Sequence, residues 1–247
     1  AGQWVGFTKP FKLALVPAFF ALSGFLVMGS AFRVRTTSTF LAHRALRIFP
    51  ALAVETLLSA IVLGALLTTL PLQEYFQHPQ FLRYLGNMFG FVYMLLPGVF
   101  EDNTVKSVVN VNLWTLPAEF VCYVITAGLL LTRLLYDRKL FTIAFVIATV
   151  ALAVGHHFTN MSNPNGPFPA HVITYYFFVG VLFYHYKNDI PAHAGLFIAT
   201  AAATYLLLAV DRFIYLAPIP LTYCTLCFGM MRMPKLKILS SGDYSYG

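Results

Sequence analysis

The chain has 247 residues, 59% of them hydrophobic and only 10% charged, with a formal net charge of +7. A water-soluble domain carries about 25% charged residues, so this composition excludes a soluble enzyme and equally a disordered chain. The apolar residues run in long stretches and mean hydropathy is +0.73; at about 20 residues per crossing, the length predicts roughly seven to nine spans of a helical membrane protein.

Hydropathy places a first span over Leu13 to Phe32, followed by a basic segment, Arg33 to Arg47, that holds no acid. The second span, Ile48 to Leu70, contains one charge, Glu55, and leads into a polar, interfacial stretch from Pro71 to Arg83. Tyr84 to Phe100 is apolar but broken by Pro97-Gly98, and a polar loop, Glu101 to Asn110, follows it. Further spans are expected over Val111 to Thr132, Leu140 to His157, Ala170 to Tyr186, Gly195 to Val210 and Phe213 to Met231. The fold class is therefore all-α, a polytopic transmembrane helix bundle with about seven clear spans and one re-entrant or doubtful segment.

Charge placement bears on that segment. Cytoplasmic loops of membrane proteins are rich in Lys and Arg. With Arg33–Arg47 in the cytoplasm, the basic stretches at 133–139 and 232–237 fall on the same side only if Tyr84–Phe100 does not cross. A re-entrant backbone is tolerated at membrane depth only where it lines a cavity. The sequence opens in mid-pattern at Ala1 and stops at Ser240 to Gly247, which reads as the start of another helix, and it shows no initiator Met, signal peptide or targeting motif. A fragment of a single membrane-embedded domain, 1–247, is the expectation.

Within the apolar spans the carboxylates are Glu55 and Glu119. A charge at mid-bilayer costs roughly 2.5–3.5 kcal/mol on insertion scales, so each has to face the bundle interior and find a partner. Glu119 reads as a residue of an active site or transport pathway. Glu55, near the basic end of its helix, is equally able to neutralise Arg44 or Arg47. Those two arginines stand three apart and share a helical face, with His43 beside them and Arg33 and Arg35 just after the preceding span. Guanidinium groups bind phosphate oxygens through paired hydrogen bonds, so this basic mouth suits a polyanion such as a nucleotide or coenzyme A. It equally suits helix anchoring at the cytosolic face. Asn112, Trp114 and Pro117 precede Glu119, and Tyr123 follows it at i+4, within reach of the same cavity. Ser23-Gly24 is a small pair that lets another helix approach closely.

The remaining chemistry is sparse. Cys224 and Cys227 have a C-x-x-C spacing but no second pair, and with Cys122 they read as small core residues. The seven histidines, including His78, His156, His157, His171, His185 and His193, show no ligand spacing, so no metal is predicted. No phosphate-binding or dinucleotide fingerprint and no nucleophile-elbow motif is present, and no nucleic-acid partner is expected.

Four blocks together resemble acyltransferase family 3, bacterial integral-membrane acyltransferases that modify surface and exported glycans. Phe19 to Leu26 resembles its F-F-x-x-S-G-F block, and His43 to Pro50 is similar to its R-x-x-R-I-x-P block. Asn112 to Tyr123 resembles its L-W-x-L-x-x-E-x-x-x-Y block, and Gly242 to Gly247 the opening of its last helix. The resemblance implies transfer of an acyl group, usually acetyl from cytosolic acetyl-CoA, to a carbohydrate hydroxyl at the outer face of the inner membrane. By matching positions it implies that Arg44 and Arg47, with His43, Arg33 and Arg35 nearby, hold acyl-CoA. It implies too that Glu119, Trp114 and Tyr123 line the reaction cavity and that Ser23 faces it; Glu55 and Asn112 are further candidates for the substrate cavity. The family's proposed catalytic histidine lies upstream of the first block and has no counterpart here, and Phe120 stands where many members carry a second acid. The alternatives are a glycan or lipid transporter using the same cavity, and a non-catalytic scaffold of the same fold.

Overall fold

A computed structural model describes residues 2–34, 36–103, 107–159, 169–209 and 216–230 of the protein, without side chains for 2–7 and 156–159. Among these the regular structure is helical: α1 (Gly2–Ala31), α2 (Thr37–Leu57), α3 (Gly64–Leu67), α4 (Leu72–Gln77), α5 (Pro79–Leu85), α6 (Leu116–Leu131), α7 (Arg138–Thr159), α8 (Ala170–His185), α9 (Ala194–Ala209) and α10 (Pro218–Met230). Four stretches are long and apolar enough to cross a membrane, Thr8–Ala31, Thr37–Leu67, Val111–Leu131 and Arg138–Gly155, and Ala170–His185 and Ala194–Ala209 are shorter apolar helices. The protein is thus an all-α polytopic bundle. Arg35, the loop at 160–168, Asp211-Arg212, the basic exit at 232–237 and the Gly242 to Gly247 block lie outside the described residues, as do the side chains of His156 and His157.

One expectation is revised. The second span begins at Thr37, not Ile48, because nothing between Thr37 and Arg47 breaks a helix and Thr36 caps it, its Oγ1 accepting from Thr39 N at 3.2 Å. His43, Arg44 and Arg47 therefore sit on a helix rather than in a connection. Tyr84 to Phe100 is not a spanning helix. Helix α5 ends at Leu85, a 3-10 turn covers Gly86–Phe89, and Gly90 leaves it at φ +85°. The chain then runs extended, with Leu95 bridged to Val108 in antiparallel fashion, and Gly98 turns at φ +66°. The Pro97-Gly98 break holds because Thr69 N donates to Gly98 O at 2.8 Å and Thr68 Oγ1 to Pro97 O at 3.0 Å.

The chain divides into two compact units, one from the described parts of Ala1–Phe40 and Val121–Pro234, the other from Leu41–Phe120. In the first, α1 packs along α8, with α9 and α10 also against α1, and α7 on α8. The buried residues of this pair include Phe20, Ala21, Val27 and Met28 of α1 and Ile173, Tyr176, Phe177 and Val179 of α8, all essentially inaccessible. Glycine makes the approach possible. A Cβ on Gly24 would run into the Phe177 carbonyl, and one on Gly180 into the carbonyl of Ala21. The small pair at Ser23-Gly24 does what its composition suggests. The outer face of α7 shows the opposite pattern, leaving Val146, Ile147, Val150 and Val154 exposed, as a lipid-facing helix does.

The second unit is built on α2 and α3, joined by a π-helical turn at Leu58–Leu63. Its core is Ala60, Tyr75, Phe81, Tyr84, Leu96 and Val99. The π turn frees a carbonyl from the helical ladder, and Tyr75 supplies the missing donor, its hydroxyl giving to Ala60 O at 2.7 Å.

Gly24→Val forces α1 and α8 apart and is expected to destabilise the protein by about 1–3 kcal/mol, the range for overpacking. Gly128→Ala, where the added methyl meets no neighbouring element within 4 Å and alanine favours the helix, serves as the control that is expected not to destabilise. Thermal unfolding in detergent, with membrane levels alongside, measures both.

Candidate active site

In the second unit, α2 carries His43, Arg44 and Arg47 near its N-terminal end. Arg44 is half-buried, and His43 and Arg47 are exposed. The helix has no acid in its first turn, and the two guanidiniums fall in its second and third turns, so its N-terminal half carries net positive charge. That chemistry suits a polyanionic ligand. Arg44, Arg47, Glu119 and Tyr123 are each engaged in at least one polar, ionic or ring contact.

A short 3-10 turn, Val111–Thr115, leads directly into α6. Pro117 falls in the first turn of α6, where its missing N–H removes no helical bond; it marks the start of the helix rather than loosening it. Trp114 is half-buried in the 3-10 turn, and Asn112 is exposed. Glu119 is 7% exposed in the first turn of α6, where the positive end of the helix dipole favours a carboxylate. Phe120 stacks on Phe49 of α2 with ring centroids 5.8 Å apart.

Glu55 takes partners that its position in the sequence does not announce. Its Oε1 accepts from Asn110 Nδ2 at 2.6 Å and from Ser59 Oγ at 2.8 Å. Oε2 is buried without a hydrogen-bond partner among the described residues. So the carboxylate is held by an amide and a hydroxyl, where the sequence suggested an arginine. Tyr84, outside the candidate spans, belongs to the same surroundings. Burial chiefly, and then the Glu55 carboxylate, push its pKa up to about 12, so the phenol stays protonated. Asn110, Ser59 and Tyr84 escaped the sequence reading. Asn110 had a signal, being an amide at the end of a polar loop just before a helical run, the usual position of an N-cap.

The first unit holds the other expected residues. Ser23 is half-buried on α1, and Arg33 is exposed just past its end. Tyr123 is 5% exposed, its ring edge-on to Phe177 at 6.5 Å. A cavity of 510 Å³ in this unit is lined by residues including Thr36, Thr37, Arg133 and Tyr136. Cys122 is buried, and Cys224 lies 3.1 Å from the Thr200 hydroxyl. Among the described residues, no group of three or more His, Cys, Asp or Glu is arranged to hold a metal ion.

Comparison with known proteins decides the family. The model for the acyltransferase domain of the Acyl_transf_3 family matches residues 2–235. The chain belongs to the acyltransferase 3 family. It is 31% identical over 147 residues to an O-acetyl transferase of Shigella phage Sf6, covering 60% of this chain and 43% of the relative. It is 32% identical over 173 residues to nodulation protein 10 of Rhizobium leguminosarum bv. viciae, covering 68% of this chain and 46% of that protein. The chain thus spans less than half the length of these curated relatives. No solved structure gives a significant match.

The loop that delivers the chain to this site depends on Gly90. Its φ of +85° is left-handed, and a Cβ there would stand 2.8 Å from the Phe120 ring. Gly90→Ala therefore combines a backbone cost of about 1–2 kcal/mol with displacement of the Phe49–Phe120 stack. A lower Tm in detergent is the expected result.

Proposed function

We propose that the protein is an O-acyltransferase of the cytoplasmic membrane. It takes an acyl group, acetyl in the simplest case, from cytosolic acyl-CoA and passes it to a hydroxyl of a cell-surface or exported carbohydrate. The observation that carries this reading is the buried carboxylate of Glu119, at the head of α6 in a chain of an acyltransferase family. The O-acetyl transferase name of the phage relative favours acetyl as the group and oxygen as the acceptor atom.

Each group has a definite part in this reading. Arg44 and Arg47 hold the phosphates of the donor at the cytosolic end of α2, with His43, Arg33 and Arg35 adding positive charge. Glu119 shapes the reaction chamber with Trp114 and Tyr123. Ser23 and Asn112 belong to the acceptor side. In the reaction the acceptor oxygen attacks the thioester carbonyl carbon. A C–O bond forms, the C–S bond breaks, and a base removes the hydroxyl proton that leaves with the coenzyme thiol. The non-spanning 86–100 segment supports the orientation in which the basic stretches after α1 and after α6 both face the cytoplasm.

Arg44→Ala, Arg47→Ala and Glu119→Gln, made singly in the full-length protein, are each expected to lower acetylation of the envelope polysaccharide by about tenfold or more with normal membrane levels. For the arginine variants the loss is expected to appear first as a raised KM for acetyl-CoA. Full activity with an unchanged KM in Arg47→Ala overturns the donor-binding assignment. Loss of protein, rather than of activity, in Glu119→Gln makes that carboxylate structural.

A further inference from the structure

We propose that Glu55 is a positioning residue, which through Asn110 fixes the start of the helical segment carrying Trp114 and Glu119. Its effect on turnover rests on the acyltransferase reading; its effect on structure does not.

The argument follows one side-chain amide. Asn110 Nδ2 donates to Glu55 Oε1 at 2.6 Å, a short, charge-assisted bond. The other end of the same amide, Oδ1, accepts from the backbone N of Asn112 at 3.1 Å. One planar group thus joins α2 to the first turn of the 3-10 segment, 55 residues apart in sequence. That segment, Val111–Thr115, continues without interruption into α6 at Leu116. A continuous helical backbone passes a rotation or shift at residue 110 on to Trp114 and Glu119.

Other ties do not substitute for this one. The chain before Asn110 is held by backbone bonds, Val109 N to Met94 O at 2.9 Å and Leu96 N to Ser107 O at 3.0 Å. These fix the loop to 94–96, which is held in turn at Thr68 and Thr69 past the end of α3; the bond to Glu55 reaches α2 itself. The Phe49–Phe120 stack joins α2 to α6, but an apolar ring contact tolerates sliding where a hydrogen bond does not. Glu55 Oε1 already accepts two bonds, the second from Ser59 one turn along α2, so this oxygen is committed to the protein rather than to a substrate. Ser59 also holds the carboxylate at the edge of the π turn, restricting the direction from which Asn110 is met.

Exchanging donor and acceptor tests the link. In the full-length protein, Asn110→Asp sets two carboxylates against each other. Glu55→Gln keeps an acceptor for Asn110. The double variant Glu55→Gln/Asn110→Asp restores a single bond with its direction reversed, while the new aspartate still accepts from Asn112 N. Two readouts are taken. The first is kcat and KM for transfer of radiolabel from acetyl-CoA to envelope polysaccharide. The second is the fluorescence emission contributed by Trp114, obtained as the difference from a Trp114→Phe counterpart.

The expected result for Asn110→Asp is a fall in kcat of about tenfold or more, the scale of a small misplacement at a reacting centre, with KM for acetyl-CoA nearly unchanged and the Trp114 emission shifted. Glu55→Gln stays close to the parent in both readouts, and the double variant recovers both. The proposal is overturned if the double variant is as impaired as Asn110→Asp, if Glu55→Gln alone abolishes turnover, or if the Trp114 emission is the same in Asn110→Asp as in the parent. Absence of acetyl-CoA-dependent transfer by the parent protein counts against the acyltransferase reading alone, and the emission readout then decides the positioning role.

Discussion

A carboxylate placed in an apolar helix has to be met by donors, and in this protein that requirement organises the unit built on α2. Glu55 lies a turn from the π-helical stretch and draws Ser59 from its own helix and Asn110 from the end of a distant loop. An unsatisfied charge there would cost more than the loop loses by being pinned. The loop therefore closes on α2, the 3-10 turn starts where Asn110 can cap it, and α6 begins at a defined point. Glu119 and Trp114 inherit their positions from that sequence of bonds.

The same unit shows how an interrupted helix is made tolerable. A π turn leaves a carbonyl without its helical donor, and Tyr75 from α4 fills the gap. Gly64 is the matching concession, since a side chain there would occupy the place of the Tyr75 hydroxyl. The segment hydropathy marks as an ambiguous span instead lies over this region as a short helix, a 3-10 turn and an extended stretch. Asn87, 1% exposed, holds the turn with paired bonds of 2.7 Å to the backbone of Tyr93. Irregular backbone in an apolar setting is stabilised here by specific partners such as Asn87, Thr68 and Thr69.

The other unit solves a different problem with a different device. Helices that face lipid gain little from burying apolar surface against each other, so they associate through close van der Waals packing. Gly24 and Gly180 allow the backbones of α1 and α8 to meet carbonyl to Cα. Large side chains such as Phe20, Met28, Tyr176 and Phe177 then fill the flanks. The sequence signal for this was modest, a Ser-Gly pair on one helix, and its partner glycine on α8 carried no distinguishing mark.

Composition and hydropathy alone determined that the chain is a helical membrane protein, and the four blocks of residues pointed to its family, because both follow from residue type and local order. They also located the basic end of α2 and the acid at the head of α6. They misplaced the start of α2, since hydropathy measures apolarity and the first three turns of that helix are polar. Only the tertiary structure decided that Glu55 pairs with Asn110 rather than with an arginine, which path 86–100 takes and what it bonds to, and that Gly24 faces Gly180's helix. Each of these is a contact between residues far apart in the chain, fixed by which donor or which gap the fold brings within reach, and no local pattern carries that information.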